Sequence, residues 1–387
     1  MGCGRLRSAA PAFRFARAPF WVACGCDFDD SSRREMRMAD MMKGLVLVEK
    51  GKVAIGERPV PEIGPYEALV RTTAVSTCET DYEIIENLIM PPAVGRFVGH
   101  EGVGVVEAVG SEVTYFKPGD RICVPPVTPS WRSIEAQQGW AQFSRGGMAF
   151  DWCLERDGVY GEYFRVRDVD MNCAKIPDNV TDVQAAMVTD MVSTSWHGVE
   201  NTPILLGESV AVFGIGPIGL CAIAAAAMKG AGRIFAIGTN PKGVEIARAW
   251  GATDIVSYKD GDVVEQIRDA NGGNVDVSIV GGGPASCVAQ AIDLTRGGGE
   301  VCSLNAYYDN VVIPPAAWNS GMKTQNIRGW QCTGGRELFE RYLKMISLGK
   351  FDPAPLATHV FHGVEQMEEC LWAKKQRDCL KPVCLLD

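Results

Sequence analysis

The sequence predicts a two-domain α/β protein in which a β-rich, barrel-like domain is interrupted by a doubly wound parallel sheet. Three observations predict it. Residues 43–125 run as short apolar or alternating stretches broken by Gly and Pro, the pattern of an all-β domain. From residue 183 the period changes, first to helical spacing and then to apolar strands alternating with helical runs, which implies parallel strands joined by right-handed crossovers. At the head of that second region, an apolar run ends in Gly214-Ile215-Gly216-Pro217-Ile218-Gly219 and passes into an alanine-rich helical run. A strand, a glycine turn and a helix start are the context of a dinucleotide-binding fingerprint. A glycine-rich turn in some other α/β unit is the alternative.

The elements follow in order. Residues 1–42 carry Arg5, Arg7, Arg14 and Arg17 with no acid before Asp27. That composition fits a transit-type presequence, a disordered extension, or a start codon assigned too early. Met41 and Met42 stand directly before the first convincing strand, which favours the last two. Strands are expected over residues 44–49, 67–74, 102–109 and 121–125, with Lys117-Pro118-Gly119-Asp120 as a turn. Residues 131–157 lack a period and read as a long surface loop. Residues 183–196 have helical spacing. Parallel strands are expected at 209–213, 233–237, 254–256, 275–280 and 300–304. A helix at 336–348 and the segment 359–372 read as a return to the first domain. The boundaries are therefore 1–42 for the extension, 43–195 for the first part of the β-rich domain, 196–331 for the nucleotide-type domain and 332–387 for the return.

Composition narrows the class. The chain has 387 residues, 47% of them hydrophobic, and a net charge of −9. An acidic chain without a long basic run argues against nucleic acid as the main partner. The absence of any apolar run near ~18 residues argues against a membrane span. The fourteen cysteines are scattered, with no Cys-x-x-Cys pair. Scattered thiols suit a reducing compartment, so a cytoplasmic location is expected.

In the fingerprint, Gly214 permits the tight turn, Gly216 lets a pyrophosphate approach the backbone, and Gly219 lets helix and strand pack closely. Pro217 and Ile218 open the helix whose N-terminus favours anions. After the strand at 233–237, an NAD-binding sheet places an acid on the ribose; here Gly238-Thr239-Asn240 follows. A missing acid removes repulsion against a 2′-phosphate and favours NADP(H) over NAD(H).

Cys78-Glu79-Thr80-Asp81 follows one strand, Gly99-His100-Glu101 precedes another, and Asp190 lies on or near the helix leading into the second domain. Cys, His and carboxylate suit a catalytic Zn²⁺ with three protein ligands. From spacing alone, unconnected core residues explain them as well.

Longer motifs carry a resemblance. Gly99-His100-Glu101-Gly102-Val103-Gly104-Val105-Val106, Val109-Gly110-Ser111-Glu112-Val113 and Phe116-Lys117-Pro118-Gly119-Asp120-Arg121 resemble the zinc-dependent medium-chain dehydrogenases. Thr128-Pro129-Ser130-Trp131-Arg132-Ser133, the run 157–164 and Thr189-Asp190-Met191 are similar to the microbial NADP-dependent secondary-alcohol branch. The likeness runs from about residue 42 to the C-terminus. It implies a GroES-like catalytic domain plus a Rossmann domain. It also implies that Cys78, His100 and Asp190 are ligands of one catalytic zinc, with Glu101 able to approach it. No four-cysteine lobe for a structural zinc is present.

By the same resemblance Thr80 takes the alcohol proton, Thr194 touches the nicotinamide, and Tyr258 packs near the adenosine phosphate. Trp131 and Tyr307 are candidates either to line the substrate pocket or simply to fill the core. Two departures stand out. Glu83 occupies a relay position where that branch usually has His. Asn240 stands where its NADP members have Arg, leaving Lys242 as a candidate charge. The expected activity is interconversion of small secondary alcohols and ketones, and of aldehydes, by a homotetramer. The alternatives are a polyol or threonine dehydrogenase of the same superfamily, and a zinc-free NADPH-binding reductase or sensor.

Overall fold

The computed structural model describes residues 41–89, 93–144, 149–308 and 310–386. The extension assigned to residues 1–42 therefore lies almost entirely outside the described residues. Strand β1 (Met41–Glu49) turns at Gly51 (φ 76°) into β2 (Lys52–Pro59), forming an antiparallel hairpin. Leu45 and Leu47 point into the core. The sequence reading passed over β2, because most of its side chains are exposed or half-buried and leave little apolar alternation.

The first large sheet contains β3 (Ala68–Ser76), β4 (Glu101–Val109), β5 (Arg121–Val124), β6 (Tyr163–Val166) and β7 (Ala174–Lys175). The second contains β8 (Ser209–Phe213), β9 (Arg233–Ile237), β10 (Asp254–Val256), β11 (Val275–Val280), β12 (Thr295–Ser303) and β13 (Asn326–Gly329). The chain then returns to the first sheet with β14 (Ala357–His362) and β15 (Lys381–Leu385). β15 pairs antiparallel with β3, so segments from both ends of the described chain share one sheet.

The six strands of the second sheet are parallel and ordered β10-β9-β8-β11-β12-β13. Numbered from β8, this is 3-2-1-4-5-6, the dinucleotide-binding order. Its switch point falls between β8 and β11, and ligands bind such sheets outside the carboxyl ends of the strands there. β8 is fully apolar inside, with Val210, Ala211, Val212 and Phe213 all buried, as a central parallel strand requires. β12 starts five residues earlier than the sequence suggests, at Thr295 rather than 300. β13 gave no signal, since all four of its residues are exposed.

One long helical segment reaches from the first sheet to the second. It is α-helical over Asp182–Met187, widens to a π-turn over Val188–Val192, and resumes as an α-helix over Ser193–Glu200. Thr181 and Gln184 close its N-terminus with a capping box. The apolar period expected for residues 183–196 is present, but the π-turn is not legible from it. Such bulges occur often at functional sites.

Of the residues 131–157 read as a surface loop, 131–140 do lie largely at the surface, whereas 149–157 are mostly buried. Trp152, Cys153 and Phe150 are buried, and so is the Asp151–Arg156 pair, with Nη2 to Oδ1 at 2.7 Å. The Arg156 guanidinium stacks 3.4 Å from the Trp152 ring centre. Side-chain pairs rather than a backbone ladder fix this segment, so it shows no period.

Gly219 tests the packing of the fingerprint. A Cβ there would stand 1.9 Å from the Gly214 carbonyl oxygen. Gly219→Ala is expected to destabilise the protein by about 1–3 kcal/mol through overpacking, read as a lowered Tm. An unchanged Tm would contradict this packing.

Candidate metal and coenzyme site

The register of β3 and β4 assembles the metal cluster. Ser76 at the end of β3 lies opposite Glu101 at the start of β4. Cys78, just past β3, and His100, just before β4, therefore meet at one sheet edge. Cys78 is the N-cap of the helix Glu79–Asn87. Its N–H donates to Asp81 Oδ2 at 2.9 Å, while Asp81 Oδ1 lies 3.0 Å from His100 Nδ1. A carboxylate on Nδ1 takes that proton's hydrogen bond and leaves Nε2 as the free lone pair. His100 is further held edge-on by Phe150, with ring centres 5.1 Å apart.

Asp190 comes from the π-turn. Its Oδ2 lies 3.8 Å from His100 Nε2, and its Oδ1 accepts the Thr194 hydroxyl at 2.6 Å. One donor atom each from Cys78, His100, Glu101 and Asp190 all lie within 4.8 Å of one another. Glu101 is buried and paired with Lys381, whose Nζ is 2.7 Å from Oε1 and 2.6 Å from Oε2. Lys381 Nζ also donates to the Thr77 carbonyl at 2.7 Å, and Ser76 donates to Glu101.

Other residues singled out from sequence take varied places. Thr80 stays at the cluster, accepting from Cys78 Sγ at 3.8 Å. Glu83, a turn further along, accepts from Asn87 at 2.7 Å. Thr194 bonds to Asp190, so its hydroxyl is not spent on its own backbone. Trp131 does not join the cluster. Its indole N–H donates to Asn172 at 2.9 Å, and its ring lines a cavity with His197, Glu200 and Arg336 that contains none of the four clustered residues. Tyr308 escaped the sequence reading, which weighed Tyr307 instead. Desolvation, with the charges of Glu83 and Cys78, pushes the Tyr308 phenol up. Asp81 and Lys381 were also missed, since their partners lie 19 and 280 residues away.

The coenzyme half has the geometry its glycines require. Gly214 adopts φ 92°, and a Cβ there would meet Gly282 Cα at 2.7 Å. Gly216 is the N-cap of the helix Pro217–Met228; no side chain caps it, and a Cβ on Gly216 would meet nothing within 4 Å. Open space above uncapped N–H groups is what a pyrophosphate needs. Ile218 accepts the Ser195 hydroxyl through its carbonyl at 2.8 Å. A Cβ on Gly238 would strike Ile215 Cγ1 at 2.3 Å, so a side chain at this position would require Ile215 to move. Thr239 donates to the Tyr258 hydroxyl at 2.8 Å. Asn240 caps the helix Pro241–Ala249 by accepting from Gly243 N–H at 3.1 Å. Lys242 is spent on Glu245, at 2.9 Å from each of its oxygens.

Comparison with known proteins agrees with this geometry. The family model of the alcohol dehydrogenase GroES-like domain matches residues 64–178, and that of the zinc-binding dehydrogenase matches 217–348. The NADP-dependent isopropanol dehydrogenase of Thermoanaerobacter brockii is 42% identical over 352 residues, covering 89% of this chain and 100% of its own. The chain belongs to the zinc-dependent medium-chain alcohol dehydrogenases. The enzyme of the same name from Clostridium beijerinckii is 41% identical, with the same coverage. A solved alcohol dehydrogenase from Thermus sp. ATN1 superposes with a TM-score of 0.79 at 25% identity, covering 89% of this chain and all of that one. The fold is thus a GroES-like domain with a Rossmann domain.

The donor set of this dehydrogenase fits zinc. A thiol, an imidazole nitrogen and a carboxylate supply the usual three ligands of a catalytic site. Their electrostatics call for a cation. Burial and Asp190 together push the Cys78 thiol up. Burial opposes protonation of His100, but Asp81, Asp190 and Cys78 outweigh it and raise its pKa well above the usual value. Burial lifts Glu101 to about 7 even against Lys381. Burial also pushes Asp190 up, yet His100, Lys381 and Thr194 hold it below the ordinary carboxylate range.

A metal must therefore displace protons from Cys78 and His100, and its affinity should fall as pH falls. Asp81→Asn should weaken zinc affinity about 10–100-fold by removing the carboxylate that orients His100. Chelator competition at several pH values reads both effects. A pH-independent affinity, or an Asp81→Asn variant that binds zinc like the wild type, would contradict this assignment.

Proposed function

We propose that this dehydrogenase interconverts small secondary alcohols and their ketones, using NADP(H) and one catalytic zinc held by Cys78, His100 and Asp190. The observation that carries the reading is the convergence of those three donors on a helix that also touches the coenzyme fingerprint. Asp190 and Ser195 lie one turn apart, and Ser195 bonds to Ile218 of the glycine loop. The printed names of the bacterial relatives, NADP-dependent isopropanol dehydrogenases, support the substrate class and the coenzyme.

When bound by Cys78, His100 and Asp190, zinc would supply Lewis acidity toward the alcohol oxygen, and the coenzyme would supply the hydride chemistry. The chain does the rest. Gly214, Gly216 and Gly219 bring the pyrophosphate onto the N-terminus of the helix Pro217–Met228. Thr80 takes the hydroxyl proton of the alcohol, and Glu83, half-buried on the same helix, passes it toward water in place of a histidine. Thr194 holds the Asp190 carboxylate in place. The buried Phe150 packs on His100 and keeps water from that side.

The catalytic domain is assigned to residues 43–195 and 332–387, and the coenzyme domain to 196–331. The working form is inferred to be a homotetramer, supported by the exposed apolar stretch Val311, Val312 and Ile313 and the exposed edge strand β13.

Zinc-loaded protein given propan-2-ol should reduce NADP⁺ faster than NAD⁺. The activity should vanish on zinc removal and return on zinc addition, and light scattering should give four chains per particle. Oxidation of polyols or threonine in preference to propan-2-ol would favour the sister activities of the superfamily. Full activity in a Cys78→Ala variant would overturn the zinc mechanism.

A further inference from the structure

The turn after β9 brings no free cation to the 2′-phosphate corner of the coenzyme site, and Lys259, exposed beside Tyr258 in sequence, is one rival source of charge. Thr239 and Tyr258 offer hydroxyls, Asn240 offers an amide, and Lys242 is neutralised by Glu245. A phosphate carries nearly two negative charges, and neutral hydrogen bonds hold it far less well than a charge-assisted pair. The missing charge has to come from another part of the chain.

Asn240 shows where. Its Oδ1 caps the helix Pro241–Ala249, while its Nδ2 donates to the backbone carbonyl of Arg377 at 3.0 Å. That bond joins the carboxyl end of β9 to the segment that precedes β15, across 137 residues of sequence. The backbone of Arg377 is thus fixed beside the corner, and its side chain is exposed. Among the described residues no carboxylate pairs with its guanidinium. The neighbouring cation differs: Lys375 is tied to Glu86 and lies over the rings of Tyr82 and Trp372.

We propose that Arg377 is the residue that selects NADP(H), its guanidinium closing over the 2′-phosphate held by Thr239 and Tyr258. The inference rests on the NADP(H) reading given above. In this arrangement the charge comes from the catalytic half of the chain rather than from the coenzyme sheet. Asn240 becomes the anchor that positions Arg377, and a planar fork suits a phosphate better than the point charge of lysine. The side chain is free to move because the anchoring contact uses only the backbone of Arg377, so its removal leaves the Asn240 bond in place.

The test is calorimetric titration of zinc-loaded protein with 2′,5′-ADP and with 5′-AMP, which differ only in the phosphate at issue. Wild-type protein should prefer 2′,5′-ADP, and added salt should shrink that preference. Arg377→Ala should weaken 2′,5′-ADP about tenfold or more and leave 5′-AMP unchanged. Arg377→Lys should recover part of the loss. Lys242→Ala and Lys259→Ala should each keep the wild-type ratio. An Arg377→Ala variant that keeps the ratio, or a loss that follows Lys259 instead, overturns the proposal and leaves the NADP(H) reading standing. A wild type that binds the two nucleotides equally removes both.

Discussion

The site depends on the register between β3 and β4. Ser76 faces Glu101, and this single pairing decides that Cys78, Asp81 and His100 arrive at one edge. A slip of one residue would turn every side chain of either strand to the other face. The slip is resisted because both strands bury apolar side chains: Val70, Ala74 and Val75 in one, Val103 and Val106 in the other. The chemistry is therefore held by the core of the sheet rather than by the loops that carry the ligands. Asp81 adds the second restraint, binding the Cys78 backbone with one oxygen and the His100 ring with the other.

The metal and coenzyme sites share one mechanical element. The helical segment that starts at Asp182 packs on β3 and β4, and its continuation from Ser193 packs on the helix Pro217–Met228. Asp190 lies in the wide turn between the two. Thr194 reaches back to Asp190 and Ser195 reaches forward to the Ile218 carbonyl. The turn that presents the carboxylate therefore lies on one of the links between the two sheets.

Much of this was legible in the sequence, and the reasons are physical. β8 and the glycine turn after it are local: a buried strand is continuously apolar, and a glycine is required wherever another side chain would strike backbone. Cys78, His100 and Asp190 stood out by residue type, although their meeting is a matter of tertiary pairing that no spacing encodes. What stayed hidden was of two kinds. β2 and β13 bury too little to show a period. Asp81 and Lys381 act through partners that chain order does not reveal, and the buried stretch 149–157 is held by an arginine stacked on a tryptophan rather than by a repeating ladder. The π-turn at Asp190 left no trace because a bulge alters phase without altering composition.

Lys381 gives the molecule a sense of completion. The ammonium that neutralises buried Glu101 belongs to β15, 280 residues further along the chain. During synthesis from the N-terminus, all four candidate ligands and the whole parallel sheet leave the ribosome before it does. Until then β3 lacks its outer neighbour, and Glu101 lacks its counter-charge. A buried carboxylate stripped of its partner costs roughly 3–5 kcal/mol, a cost that the pairing with Lys381 removes. β15 thus supplies both the strand that pairs with β3 and the counter-charge for Glu101, so a chain cut short before it holds every candidate ligand without that partner.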